Sequence, residues 1–211
     1  MLDSFKKHFF KAFIMLLPVV ALIAGMEMYQ KSQMKNAAKV MQIGGDFTLQ
    51  SADGPFTLSA RPGKLNVIYF GYTQCPDVCP TSLSVMAHAF KQLPEEQRAK
   101  LQGIMISVDP ERDTLQHLKN YTQFFHPQII GLTDTPEAVL ALSRKYGAFY
   151  QKAKIDGSAM GYTVDHTSIF YLTNDKGEVL ETVSHSASPD ALLEALKRQL
   201  NGYQSGLNNQ E

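Results

Sequence analysis

The chain has 211 residues, 44% of them hydrophobic and 19% charged, with 20 Lys plus Arg against 20 Asp plus Glu. That length holds one ordinary domain with its own core and some remainder, and the composition excludes both a disordered chain and one embedded throughout in a membrane. Balanced charge without a basic stripe gives nucleic acid no footprint, and two cysteines are too few for a disulfide framework or a closed four-thiolate zinc site.

Phe9 to Met28 is a largely apolar stretch, interrupted by Lys11 near one end and Glu27 near the other. As a helix it would be about 30 Å long, one bilayer core. Its uncharged centre, Ala12 to Met26, has the length of a signal-peptide core, so a cleaved signal and a retained anchor are both open. Ile23-Ala-Gly25 is a poor cleavage site and Lys11 can reach the headgroups, which favours the anchor. Lysines flank the stretch on both sides, so charge bias orients it weakly, and no arginine precedes Arg61, which argues against a mitochondrial presequence. The expected organisation is a short cytoplasmic segment over 1–8, a transmembrane signal anchor over 9–28, a connector over 29–43, an exported domain over 44–200 and a flexible tail over 201–211.

The domain opens with Asp46-Phe-Thr-Leu49 and Phe56-Thr-Leu58 around Ala52-Asp-Gly54, a hairpin pattern. Leu65 to Phe70 reads as a buried strand and Thr81 to Leu93 as a helix. Ile104 to Val108 is a second buried strand, followed by the turn Asp109-Pro-Glu-Arg-Asp-Thr114 and a helix bearing Leu115, Leu118, Tyr121 and Phe125. Ile129 to Leu132 is a short strand, and Thr135-Pro136-Glu137 opens a helix to about Tyr146. Tyr162 to Leu172 and Glu178 to Val183 flank Asn174-Asp-Lys-Gly177 as a second hairpin, and a last helix carries Leu192, Leu193, Leu196 and Leu200. This order predicts an α/β fold, a mixed sheet flanked by helices.

Both cysteines lie in Gly71-Tyr-Thr-Gln-Cys75-Pro-Asp-Val-Cys79-Pro80, between the first buried strand and its helix. Pro80 suits the first helical turn, which places Cys79 at a helix N-terminus, where amides and dipole favour the thiolate. Four residues apart, the sulfurs can meet each other as a disulfide or meet on a soft metal ion as two ligands. A purely structural bridge would close a very short loop and constrain the unfolded chain little.

A dithiol ending the first core strand, in this order of elements, resembles the thioredoxin fold. Thioredoxin itself has two residues between its cysteines where this chain has three, and Val164-Asp-His-Thr167 stands where thioredoxin has a proline. Peroxiredoxins match poorly, because Gly71 to Cys75 does not satisfy their cysteine motif. The set Gly-Tyr-Thr-x-Cys75-Pro-Asp-Val-Cys79-Pro, Val108-Asp-Pro-Glu-Arg-Asp-Thr114 and Val164-Asp-His166-Thr strongly resembles the Sco/SenC family. Those proteins are membrane-anchored copper-binding factors for assembly of cytochrome c oxidase.

The resemblance implies copper ligands at Cys75, Cys79 and His166. Two soft thiolates suit Cu(I), and an imidazole lets the same set hold Cu(II), whereas zinc would usually want a fourth ligand. Met26, Met28, Met34 and Met41 could offer thioethers but read more simply as packing. Asp109 is expected to orient the imidazole or adjust thiol basicity; Asp77 and Asp165 are weaker choices, and Arg112 and Asp113 would fix their own loop. His88, His117, His126 and His185 read as surface or packing residues, and His8 flanks the apolar stretch.

The implied role is a copper metallochaperone on a bacterial inner membrane, facing the periplasm and serving the oxidase subunit with the binuclear copper site. It would draw on an upstream copper donor and a thiol reductant. A second reading is a thiol-disulfide oxidoreductase acting through Cys75 and Cys79 on that subunit's copper-site cysteines.

Overall fold

The structure is a computed structural model that describes residues 25–27, 43–154, 161–186 and 188–207. Most of the expected anchor over 9–28 and of the connector lies outside the described residues. Among those described, no helix is long and apolar enough to cross a membrane.

The unit from Ile43 onward begins with a hairpin of β1 (Thr48–Ser51) and β2 (Gly54–Thr57). Then follow β3 (Leu65–Gly71), α1 (Val78–Lys91), a single turn α2 (Glu95–Arg98), β4 (Leu101–Ser107), α3 (Leu115–Phe125), β5 (Ile129–Leu132) and α4 (Pro136–Lys145). The chain continues through β6 (Tyr150–Lys154), β7 (Tyr162–His166), β8 (Ile169–Thr173), β9 (Val179–Ser184) and α5 (Pro189–Leu207).

The central sheet has the order β5-β4-β3-β8-β9; β3 pairs in parallel with β4 and antiparallel with β8. Every residue of β3 and β4 is buried, as expected for central strands covered on both faces, which read as unbroken apolar runs. Alternation along β3 shows the two faces directly. The Tyr69 ring packs on Phe170 and its hydroxyl reaches Cys79 of α1, while Phe70 meets Tyr146 at the end of α4. The result is the thioredoxin-like mixed sheet that the order of elements predicts. Thr114 and Thr135 cap α3 and α4 by accepting from the amides of His117 and Ala138, each cap contributing about 1 kcal/mol.

Three expectations are revised. Tyr162 to Leu172 is not one strand, because the chain leaves β7 at Thr167-Ser168 before entering β8. Only β8 pairs with β9; β7 pairs instead with β6, forming a two-stranded ribbon separate from the central sheet. β6 escaped detection because Tyr150-Gln-Lys-Ala-Lys154 is half-buried or exposed throughout and so has no apolar period. α5 runs to Leu207, through much of the expected tail: Asn201-Gly202 looks like a stop, but one glycine costs only about 1 kcal/mol inside an established helix.

Candidate metal centre

β3 ends at Gly71, and α1 starts at Val78, so Cys79 lies in the first helical turn, fully buried, and Cys75 in the preceding loop, half-buried. Asp77 holds the position before the helix, yet its side chain makes no capping hydrogen bond. The Cys79 amide donates to the Cys75 sulfur at 3.5 Å, so the thiol supplies an acceptor that a capping side chain would normally provide. The Cys75 thiol is held down to about 3, first by the hydrogen bond from Cys79, then by His166 and the Asp77 and Cys79 amides, against the opposing effect of burial. The Cys79 thiol is pushed up, because it keeps the proton shared with Cys75 and because it is buried. The two thiols titrate as a coupled pair in which the charged form is favoured at Cys75 and disfavoured at Cys79.

His166 ends β7. Its Nε2 lies 3.4 Å from the Cys79 sulfur and its Nδ1 lies 3.2 Å from the Thr167 carbonyl oxygen. The tautomer with Nδ1–H donated to that carbonyl leaves the Nε2 lone pair for an ion, whereas the Nε2–H tautomer is the one that donates to the sulfurs of the metal-free cluster. The imidazole is fixed edge-on between Tyr69 and Tyr72, at 5.9 and 6.0 Å between ring centres. One ligand atom from each of Cys75, Cys79 and His166 lies within 4.8 Å of the others, and the cysteines are unbridged. The cluster faces an open cleft lined by Tyr72, Pro76, Val78 and Thr163 among others.

Neighbouring groups hold the two halves together. The Asp113 carboxylate accepts from the Thr73 amide at 3.0 Å, the Thr73 hydroxyl at 2.5 Å and the Ser107 hydroxyl at 2.6 Å, clamping the thiol loop to β4. The Tyr72 hydroxyl bonds Thr163 at 2.9 Å and accepts from the Val164 amide at 3.4 Å, linking that loop to the ribbon that carries His166. The Arg112 guanidinium lies over the Tyr162 ring at 3.7 Å and donates to the Tyr162 carbonyl at 3.1 Å.

Asp109, expected beside the imidazole or the thiols, is fully buried with its carboxylate taken up by Arg112 and the Tyr162 hydroxyl. It acts on the ribbon that bears His166 instead of on the ring. Asp113, expected to serve its own loop, reaches the thiol loop. Asp77 and Asp165 are exposed. His88, His117, His126 and His185 are not in the cluster; His126 is buried edge-on to Phe90, and burial depresses its pKa. His8 lies outside the described residues. Tyr69 and Tyr72 were not singled out from sequence, where an aromatic in or beside a buried strand looks like an ordinary structural choice.

A family model described as SCO1/SenC matches residues 35–201, a span that includes the whole thiol–imidazole cluster. A SCO2-like protein of Rickettsia felis is 37% identical over 158 residues, covering 74% of this chain and 77% of that protein. Mitochondrial SCO2 of Saccharomyces cerevisiae is 32% identical over 179 residues, 84% of this chain but only 60% of the yeast protein's length. The copper-bound crystal structure of Arabidopsis thaliana ScoI aligns with a TM-score of 0.70 at 35% identity, over 76% of this chain and 99% of the other. With sequence, fold and cluster in agreement, the chain belongs to the SCO1/SenC family.

Proposed function

We propose that this protein is a copper metallochaperone that carries the ion on Cys75, Cys79 and His166 and helps assemble the copper site of cytochrome c oxidase. The observation that carries this reading is the convergence of two sulfurs and one imidazole nitrogen, within 4.8 Å of one another, at an open cleft. Two thiolates suit Cu(I), and adding an imidazole widens the set to Cu(II). Copper in the Arabidopsis relative supports the same assignment. Cys75 offers a ready thiolate, whereas Cys79 must give up its proton on binding, so loading releases protons. An open cleft suits a cargo site, since a partner's ligands can approach as the protein's own withdraw.

In this reading, residues 9–28 anchor the domain to a bacterial inner membrane with the cluster facing the periplasm. An upstream donor supplies copper and a reductant keeps both thiols reduced. The receiving partner is the oxidase subunit with the binuclear copper site. The test is a Cu(I) competition titration on the anaerobically reduced protein beside His166→Ala and Cys75→Ser. Tight uptake of one equivalent, weakened in both variants, is expected. Weak binding, or binding indifferent to the imidazole, would overturn the copper role.

A second reading, thiol-disulfide oxidoreductase, is favoured by the low pKa of the unbridged Cys75 thiol. Cys75 would attack a target disulfide and Cys79 would resolve the mixed disulfide. In that case His166→Ala would leave the rate of reduction of a disulfide peptide nearly unchanged.

A further inference from the structure

Tyr69 lies on β3 with no exposed surface, and its hydroxyl donates to the Cys79 sulfur at 3.8 Å. A buried phenol hydroxyl ordinarily finds an oxygen acceptor, because leaving it poorly paired costs about 1–3 kcal/mol. Here the hydroxyl donates to sulfur, a weak acceptor as a neutral thiol and a much stronger one when it bears negative charge, while the Ser82 and Ser168 hydroxyls face the phenol oxygen as donors. The ring is held in place independently of the hydroxyl: it packs tilted on Phe170 at 5.5 Å and edge-on to His166 at 5.9 Å. Gly71, two residues along the same face of the strand, leaves room for the arrangement, since a Cβ there would lie 2.7 Å from the Tyr69 ring. The donor is therefore built into the rigid sheet behind Cys79, opposite the cleft from which an ion would arrive.

We infer that Tyr69 is a positioning residue whose hydroxyl is set to hydrogen-bond the Cys79 sulfur in its metal-bound, charged state. This rests on the reading of Cys79 as a metal ligand. In the metal-free protein the contact is long, 3.8 Å. With a metal on the sulfur, the hydroxyl draws charge from it, strengthens retention of the ion and lowers the energy of the sulfur donor orbital. Hydrogen bonding around a ligating sulfur is a recognised means of adjusting a copper site, and it requires no contact between Tyr69 and the ion.

The test is Tyr69→Phe, which keeps the ring and removes only the hydroxyl, compared with the unaltered protein and with Tyr171→Phe. Tyr171 packs on Phe70 and Tyr146, on the other face of the sheet. Each reduced protein is titrated with Cu(I) and with Cd(II), a thiophilic probe, and the sulfur-to-metal charge-transfer bands of the Cd(II) and Cu(II) forms are recorded. Tyr69→Phe is expected to bind both probes about three- to tenfold more weakly and to move the bands to lower energy, while Tyr171→Phe does neither. Bands and affinities unchanged in Tyr69→Phe would overturn the inference. If the unaltered protein takes Cd(II) but not copper, the copper role fails and the Cd(II) band still decides the role of Tyr69. If it takes neither, both fail together.

Discussion

The Cys79 sulfur occupies the space that a side chain at Gly71 would need: a Cβ on Gly71 would lie 2.9 Å from Sγ and 2.7 Å from the Tyr69 ring. Neither neighbour is a flexible surface group, since Cys79 and Tyr69 are both fully buried. Gly71→Ala is expected to cost about 1–3 kcal/mol through overpacking and to displace the sulfur from His166. Urea denaturation would show the first effect and a Cu(I) competition titration the second. Unchanged affinity would mean that the sulfur can shift without leaving the cluster.

Asp113 takes three hydrogen bonds from Thr73 and Ser107. Asp113→Ala would leave the buried Ser107 hydroxyl and the half-buried Thr73 hydroxyl and amide without their acceptor, a loss of about 2–4 kcal/mol. Metal affinity should fall as well, because Thr73 is two residues from Cys75. A variant as stable as the original would show that water replaces the carboxylate fully.

Arg112 and Tyr162 act on the other half of the cluster, since they tie the ribbon bearing His166 to the Asp109 turn. Arg112→Lys keeps the charge but loses the planar stack and the fork of donors. It should weaken binding toward the level of His166→Ala while leaving disulfide-exchange rates of the thiols nearly unchanged. A parallel loss in both assays would place Arg112 behind the thiol loop instead.

The Cys75 thiol, held down to about 3, should stay a thiolate across the ordinary pH range. Its folded value is depressed, so the charged form persists until the pH falls through that value, whereas an ordinary thiol with a value near 8.5 loses reactivity about tenfold per unit below it. Iodoacetamide alkylation of the reduced, metal-free protein should therefore be nearly flat between about pH 5 and 7 and directed to Cys75. A steep fall over that interval would show that the Cys79 thiol, His166 and the amides do not hold the charge.

Burial depresses the His126 pKa, so folding favours the neutral ring. Stability from this site is complete above the ordinary value of about 6.5 and declines as the pH falls through it, because the unfolded chain takes the proton more readily. His126→Gln should flatten that part of the stability profile measured in urea. An unaltered profile would assign the decline to other groups.

The thiol loop was legible because three unmistakable local patterns meet there: an apolar β-branched run, a pair of cysteines with proline after the second, and helical spacing beyond. The approach of His166 was legible only through its motif, since no local pattern says that Val164 and its neighbours form a ribbon apart from the central sheet and end it at His166. β6 was illegible because neither of its faces is consistently buried, so selection for a core left no alternation to read. Asp109 and Asp113 show a different limit. They are four residues apart in one polar turn, and only packing decides that the first turns to Arg112 and Tyr162 while the second turns to Thr73.

The two sulfurs are four residues apart in the chain, whereas Cys79 and His166 are separated by 87. A chain still emerging, or one unfolded by denaturant, presents a dithiol but not the three-atom set. That set exists only once the ribbon has docked, so an ion needing all three atoms binds the native state alone and stabilises it by mass action. Occupancy of the cluster by such an ion thus reports completion of the fold, and half-made molecules are excluded from holding it without any separate inspection step.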